Sequence, residues 1–232
     1  MGSIFDGMKL NLFDKYIYIG RRHQLKQHMG QDGLILLLGN EDSSMNYKDN
    51  TYLFRQDSSF LYYFGLDVPV LAAIIDTQSG EEVIFGNELT IDDIVWTGTL
   101  PTVSEMAYMV GVDKTKPYAD IARYVHKALT DGRKVHILPP YRPENKMKLA
   151  DWFNTSLNDL ADHVSLKLTK AVIAQRVIKS PLEVAEMEKA VNISVDMMQA
   201  VIKHTRPGIK EYELVAKAHE VAIANDARRS EE

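Results

Sequence analysis

Residues 52–69 read Tyr52-Leu53-Phe54-Arg55-Gln56-Asp57-Ser58-Ser59-Phe60-Leu61-Tyr62-Tyr63-Phe64-Gly65-Leu66-Asp67-Val68-Pro69 and hold six of the twenty aromatic residues in the chain. Aromatic side chains bury large areas and suit a half-buried strand, so each ring taken alone reads as core. Their order says more. Residues 52–55 alternate like a strand, 56–59 form a polar break, and 60–64 form a second aromatic block. Gly65 and Pro69 then punctuate the approach to an apolar run at 70–75.

Working outward, residues 20–29 read as a short helix with Gly30 as its left-handed stop, and 33–38 as an apolar strand closed by Gly39-Asn40. Residues 41–50 read as a polar loop. The runs 70–76 and 82–85 flank Thr77-Gln78-Ser79-Gly80, the polar, glycine-ended connector that a hairpin needs. Thr90, Asp92 and Asp93 offer oxygens to the free amides of a helix start or turn at 90–94. A helix is expected over 118–129, with Ile121, Val125, Ala128 and Leu129 on one face, then a strand over 135–138 and a helix around 149–160. Strands alternating with helices and at least one hairpin give an α/β fold with a mixed central sheet flanked by helices.

The pattern changes near 170–179 to two long helical periods. Ser180-Pro181-x-Glu183 is a capping box with proline at the first helical position. Val184, Met187, Val191, Val195, Met198 and Ile202 follow at spacings of three and four as one apolar stripe. After Arg206-Pro207-Gly208, a second helix from about Lys210 has Leu214, Val215, Ala218, Val221 and Ala222 as its buried face, with Glu213 and Lys217 as an outer ion pair. The α/β region is thus followed by a helical hairpin.

Composition narrows the function classes. The chain has 232 residues, 45% hydrophobic and 25% charged, enough for one large or two modest cores. A net charge of −5 without a basic run argues against a nucleic-acid surface. With no cysteine, disulfides, thiol catalysis and iron–sulfur or zinc-knuckle sites are excluded. The first seven residues carry neither a signal peptide nor a myristoylation pattern, and no apolar run approaches a membrane span, so a cytoplasmic protein without nucleic-acid or membrane partners is expected.

The blocks Phe54-Arg55-Gln56-Asp57-Ser58-Ser59-Phe60, Tyr62-Tyr63-Phe64-Gly65 and Pro69 resemble the amino-terminal domain of aminopeptidase P, the Xaa-Pro aminopeptidases. Arg21-Arg22-His23-Gln24-Leu25 and Ile94-Val95-Trp96-Thr97-Gly98 extend the likeness in both directions. Lys179-Ser180-Pro181-x-Glu183 and Arg206-Pro207-Gly208-x-x-Glu211-Tyr212-Glu213-Leu214 resemble the first two helices of the family's pita-bread catalytic domain. The resemblance implies an amino-terminal domain over 1–172 and a truncated start of the metallopeptidase domain over 173–232. It implies removal of the residue preceding proline from Xaa-Pro peptides by a homo-oligomer that uses two Mn(II) or similar ions when complete. Two metals held by carboxylates and histidine would polarise the tertiary amide and ionise the attacking water.

The family's ligand set, two Asp, one His and two Glu, falls beyond the matched helices, so this chain is expected to hold no metal, to contribute no catalytic residue and to be silent alone. The residues present offer little substitute. His23 and His28 lie on different faces of a helix. His219 and Asp226 share a face two turns apart with Glu220 beside them, too far to grip one ion. Arg55 reads as paired with Asp57 or another carboxylate. Trp96 is the substrate-binding candidate, because the resemblance places its loop on the wall of the cleft, in some members that of a neighbouring subunit. An ordinary core tryptophan is the competing reading. Two alternatives stay open, a non-catalytic binding or assembly module and a prolidase or creatinase relative. Helices deprived of the sheet they normally cover are expected to pack on the amino-terminal domain, pair between chains or be poorly ordered.

Overall fold

The computed structural model describes residues 12–227. The reading of residues 1–7 lies outside the described residues. The backbone gathers into two units, one ending at Gln175 and the other beginning at Arg176.

The first unit is built on strand β1 (Leu34–Leu38), which pairs antiparallel with β4 (Ala72–Asp76) and parallel with β7 (Val135–His136). Strand β5 (Glu82–Phe85) joins β4 through the expected hairpin, and β6 (Lys114–Lys116) adds on in parallel, giving the order β6-β5-β4-β1-β7. Side chains on a strand alternate between faces, and both faces here are apolar. Ile35, Leu37, Ala73, Ile75 and Ile84 belong to one buried cluster, with residues of α1 (Lys15–Met29), α2 (Ser58–Phe64), α4 (Val103–Met109) and α7 (Leu166–Val177). Leu34, Leu36, Ala72, Ile74, Val83 and Phe85 belong to a second, with α5 (Ile121–Thr130) and α6 (Pro143–Phe153). The result is helix, mixed sheet, helix, the α/β architecture expected from the sequence.

Several elements differ from that expectation. Helix α1 begins at Lys15, because Asp14 caps it by accepting the Tyr16 amide at 2.9 Å. Residues 41–50 contain strand β2 (Ser44–Tyr47) and the start of β3 (Asn50–Thr51). Residues 52–55 form no strand, and the aromatic block after them is helix α2, whose cap is Asp57. Its buried side chains are Phe60, Tyr63 and Phe64, spaced for a helix face, and the Phe60 and Phe64 rings stack at 5.1 Å. Leu129 of α5 is exposed, off the face of Ile121, Val125 and Ala128. Helix α6 starts earlier than the expected 149, at Pro143, which occupies the first turn at no cost in hydrogen bonds, and it ends at Asn154 with φ 50°.

In the second unit α8 (Pro181–His204) packs on α9 (Glu211–Ala224). The Ser180–Glu183 capping box forms as expected. The half-buried positions of α8 are Glu183, Glu186, Ile193, Met197, Ala200, Val201 and His204, whereas Val184, Met187, Val191, Val195, Met198 and Ile202 are exposed. The apolar stripe is therefore not the face that meets α9, and Val215 of α9 is exposed as well. Glu213 does not pair with Lys217: its carboxylate reaches back to the Lys210 amide at 2.9 Å, and Lys217 pairs with Glu220.

Candidate functional site

Trp96 sits on helix α3 (Ile91–Thr97), a short excursion between the end of β5 and the start of α4. Both ends of the excursion are tied down. At its start Thr90 and Asp93 form a capping box, the Asp93 carboxylate accepting the Thr90 amide at 2.8 Å and hydroxyl at 2.7 Å. Those two hydrogen bonds from Thr90, hydroxyl first, hold the Asp93 carboxyl below the usual range. At its far end Thr102 and Glu105 form a second capping box, and the Thr102 backbone amide and then its hydroxyl hold the Glu105 carboxyl low in the same way. The Val103 amide meets both carboxylate oxygens of Glu88 at 3.1 Å, pinning the two ends of the excursion to each other.

Between these clamps the helix shows apolar side chains to solvent. Trp96 is 88% exposed, and Ile91 and Val95 are exposed beside it. The core reading of Trp96 is thus excluded by its position. The indole faces outward from a helix anchored at both ends, and an exposed aromatic ring offers a face for stacking.

The other residues singled out in the sequence do not assemble. His23 and His28 are exposed on α1, with His28 Nδ1 on the Gln24 carbonyl. Helix α9 ends before Asp226, which has φ 54°, so His219 and Asp226 share no helical face, and Glu220 is held by Lys217. Among the described residues no three His, Asp or Glu side chains come together as a group that would hold a metal ion. Arg55 is exposed and, among the described residues, pairs with no carboxylate; Asp57 instead accepts the Ser59 and Phe60 amides at 2.9 Å as the cap of α2.

The signature blocks prove to be architectural. Arg22 is fully buried and donates to Glu82 at 2.7 Å and to the carbonyls of Tyr63, Val110 and Gly111. Burial pulls its guanidinium below the ordinary arginine value, and Glu82 opposes that pull. Arg21 donates to the Tyr62 carbonyl at 2.8 Å and lies 4.0 Å from the Tyr62 ring centre. Gln56 is buried, accepts the Asn40 and Asp57 amides, and donates to the carbonyls of Leu66 and Val68. Gly65 has φ 68°, and a Cβ there would lie 2.2 Å from the Tyr18 ring.

Sequence reasoning missed a second polar constellation, at the ends of β1 and β7. There the Asn40 side chain meets the Arg55 carbonyl and the Tyr141 hydroxyl, and Asn145 donates to the Gly39 carbonyl. The amides are separated by about a hundred residues in sequence, and only the sheet brings them together.

The model of a protein family described as the aminopeptidase P N-terminal domain matches residues 18–138. A probable Xaa-Pro aminopeptidase of Metarhizium acridum is 28% identical over 209 residues, covering 89% of this chain and 40% of that protein. A human Xaa-Pro dipeptidase is 24% identical over 183 residues, covering 78% of this chain and 36% of the relative. Among solved structures, zinc-substituted Escherichia coli aminopeptidase P in complex with product matches with a TM-score of 0.77 at 18% identity, over 93% of this chain and 51% of that one. The chain therefore spans about two fifths of the length of the curated relatives and half of the solved chain.

Proposed function

The chain belongs to the family of aminopeptidase P amino-terminal domains, and from that premise we propose that it is the amino-terminal portion of a metal-dependent Xaa-Pro aminopeptidase. In this reading it supplies the scaffold and a wall of the substrate cleft, while Mn(II) or similar ions and their ligands belong to another part of the enzyme. Residues 1–172 form the amino-terminal domain and residues 173–232 open the catalytic one. The exposed stripe on α8 is the seat on which the catalytic sheet packs. The protein is cytoplasmic, acts on Xaa-Pro peptides and works as a homo-oligomer, so that the projecting α3 reaches a cleft on its own or a neighbouring subunit.

One observation carries the proposal: Trp96 is held almost wholly in solvent by clamps at both ends of its helix, an arrangement with no value for the stability of its own core. Stacking on the proline ring of the peptide gives the indole its use. In an active peptidase assembled around this domain, Trp96→Ala should raise KM for an Xaa-Pro tripeptide about tenfold, the order of a lost aromatic contact. Trp96→Phe should restore most of the loss, and the melting temperature should not move. An unchanged KM in the Ala variant would remove Trp96 from the cleft.

The match to the human dipeptidase supports a second reading, a prolidase-type enzyme limited to dipeptides. Comparing Xaa-Pro with Xaa-Pro-Xaa substrates in the same assembled enzyme separates the two, since only the aminopeptidase turns over the longer peptide.

A further inference from the structure

We propose that the crevice at the carboxyl ends of β1 and β7 is a binding site for a primary alkylammonium group, independent of the peptidase reading. The two strands are parallel neighbours, and the chain leaves them toward opposite faces of the sheet. After β1 it runs to α2, whose Phe60, Tyr63 and Phe64 join one buried cluster; after β7 it runs to α6, whose Leu149, Trp152 and Phe153 join the other. Diverging connections of this kind open a crevice outside the strand ends, the usual place for a ligand in an α/β sheet.

A cavity of about 50 Å³ occupies that position, lined by Leu38, Pro139, Leu149, Asp57, Tyr141 and Asn145 among others. It has room for a group of a few heavy atoms, since one water needs about 10–15 Å³. Asn145 is only 6% exposed, and its Nδ2 donates to the Gly39 carbonyl at 3.3 Å. Its Oδ1 is buried and has no hydrogen-bond partner among the described residues. Buried acceptors are nearly always satisfied, so this oxygen calls for a donor.

The lining sets the chemistry of that donor. It includes Asp57, whose Oδ1 caps α2, and no Lys, Arg or His, so an anion finds no cationic partner there. The Tyr141 hydroxyl in the lining is engaged with both ends of the Asn40 amide. Leucine and proline walls favour a carbon stem over a hydrated inorganic ion. A cation with several N–H donors and a short alkyl stem satisfies Asn145 Oδ1, balances Asp57 and covers the apolar walls, with the Tyr141 ring at the rim. The ammonium could arrive on a free amine or on a lysine side chain of another protein.

Titrating the 232-residue chain with ethylammonium chloride, followed by ¹⁵N and ¹³C NMR, tests this directly. Saturable shifts are expected at the Asn145 side-chain amide, Leu38 and Tyr141, and none with ethanol or potassium chloride. Asn145→Leu should weaken the response at least about tenfold, the loss of one hydrogen bond to a charged donor. Asn145→Asp, which keeps the shape and adds charge, should tighten it. A parallel titration with Nα-acetyl-lysine amide distinguishes the sources: tighter binding than ethylammonium assigns the site to a protein lysine, weaker binding to a free amine. Equal shifts with acetamide or potassium, or an Asn145→Asp variant that binds as the parent does, would overturn the proposal, leaving a neutral donor or water as the occupant.

Discussion

At the scale of single residues, the blocks that carry the family likeness act by tying loops to the sheet. Arg22 is the strongest case, since one buried guanidinium satisfies Glu82 and three carbonyls from two separate segments. Arg22→Met should cost about 3–5 kcal/mol in urea unfolding, because it takes the buried partner from Glu82, leaving it the Lys26 pair, and leaves three carbonyls unpaired. A loss below about 1 kcal/mol would place the arginine among ordinary surface contacts. Gly65→Ala should cost at least about 1–3 kcal/mol, since the left-handed backbone and the Tyr18 ring both exclude a methyl group. Its effect should be read with Gly80→Ala as a control, where the backbone is also left-handed but nothing lies within 4 Å. These roles were only partly legible in the sequence. Aromatic clustering and glycine placement announced a packed, sharply turned segment, but nothing local to Arg22 or Gln56 says that their partners lie on other elements.

At the scale of elements, the errors share a cause. Residues 52–55 alternate in polarity, but the pairing with the β2 side stops after the Tyr52 amide, which donates to the Ser43 carbonyl at 2.9 Å, so no ladder continues along them. The following aromatic block becomes a helix because Asp57 caps it and Gly65 stops it, signals that outweigh β-propensity. The start of α1 was hidden in the same way, behind an Asp14 cap in a stretch of aromatic and β-branched residues. By contrast, the Ser180 capping box and the hairpin turn were readable because their hydrogen bonds are local. The tab carrying Trp96 rests on two such local boxes, and they give it a pH dependence. The Asp93 and Glu105 carboxyls are held low in the folded chain, so their contribution is complete above the unfolded carboxylate pKa and fades as pH falls through the lowered folded values. Amide exchange at Asp93 and Glu105, corrected for the intrinsic rate, should be flat from neutral pH down to the ordinary carboxylate range and accelerate below it. Protection that falls as pH rises would contradict the capping account.

At the scale of the whole molecule, the α/β architecture was legible because both faces of its central strands are apolar and the helices between them are amphipathic. The candidate site was legible only in part. Trp96 stood out as a residue, yet its exposure follows from clamps spanning residues 88–105 that no short window reveals. The stripe on α8 was legible as an apolar face, but periodicity marks a face without saying what covers it, and in the structure that face is exposed. That surface should bind a hydrophobic dye such as ANS, and the double substitution Val191→Glu and Val195→Glu should abolish the signal without lowering helicity. Dye binding unchanged by the substitutions would move the apolar surface elsewhere. The proposed function divides the labour, giving these residues the wall of a cleft and leaving the ions that cut the peptide to others. It is tested most directly by incubating the purified 232-residue chain with Mn(II) and an Xaa-Pro-containing peptide and measuring release of the first residue. No release above the metal-only control is predicted, and turnover that follows the concentration of the chain would contradict the account.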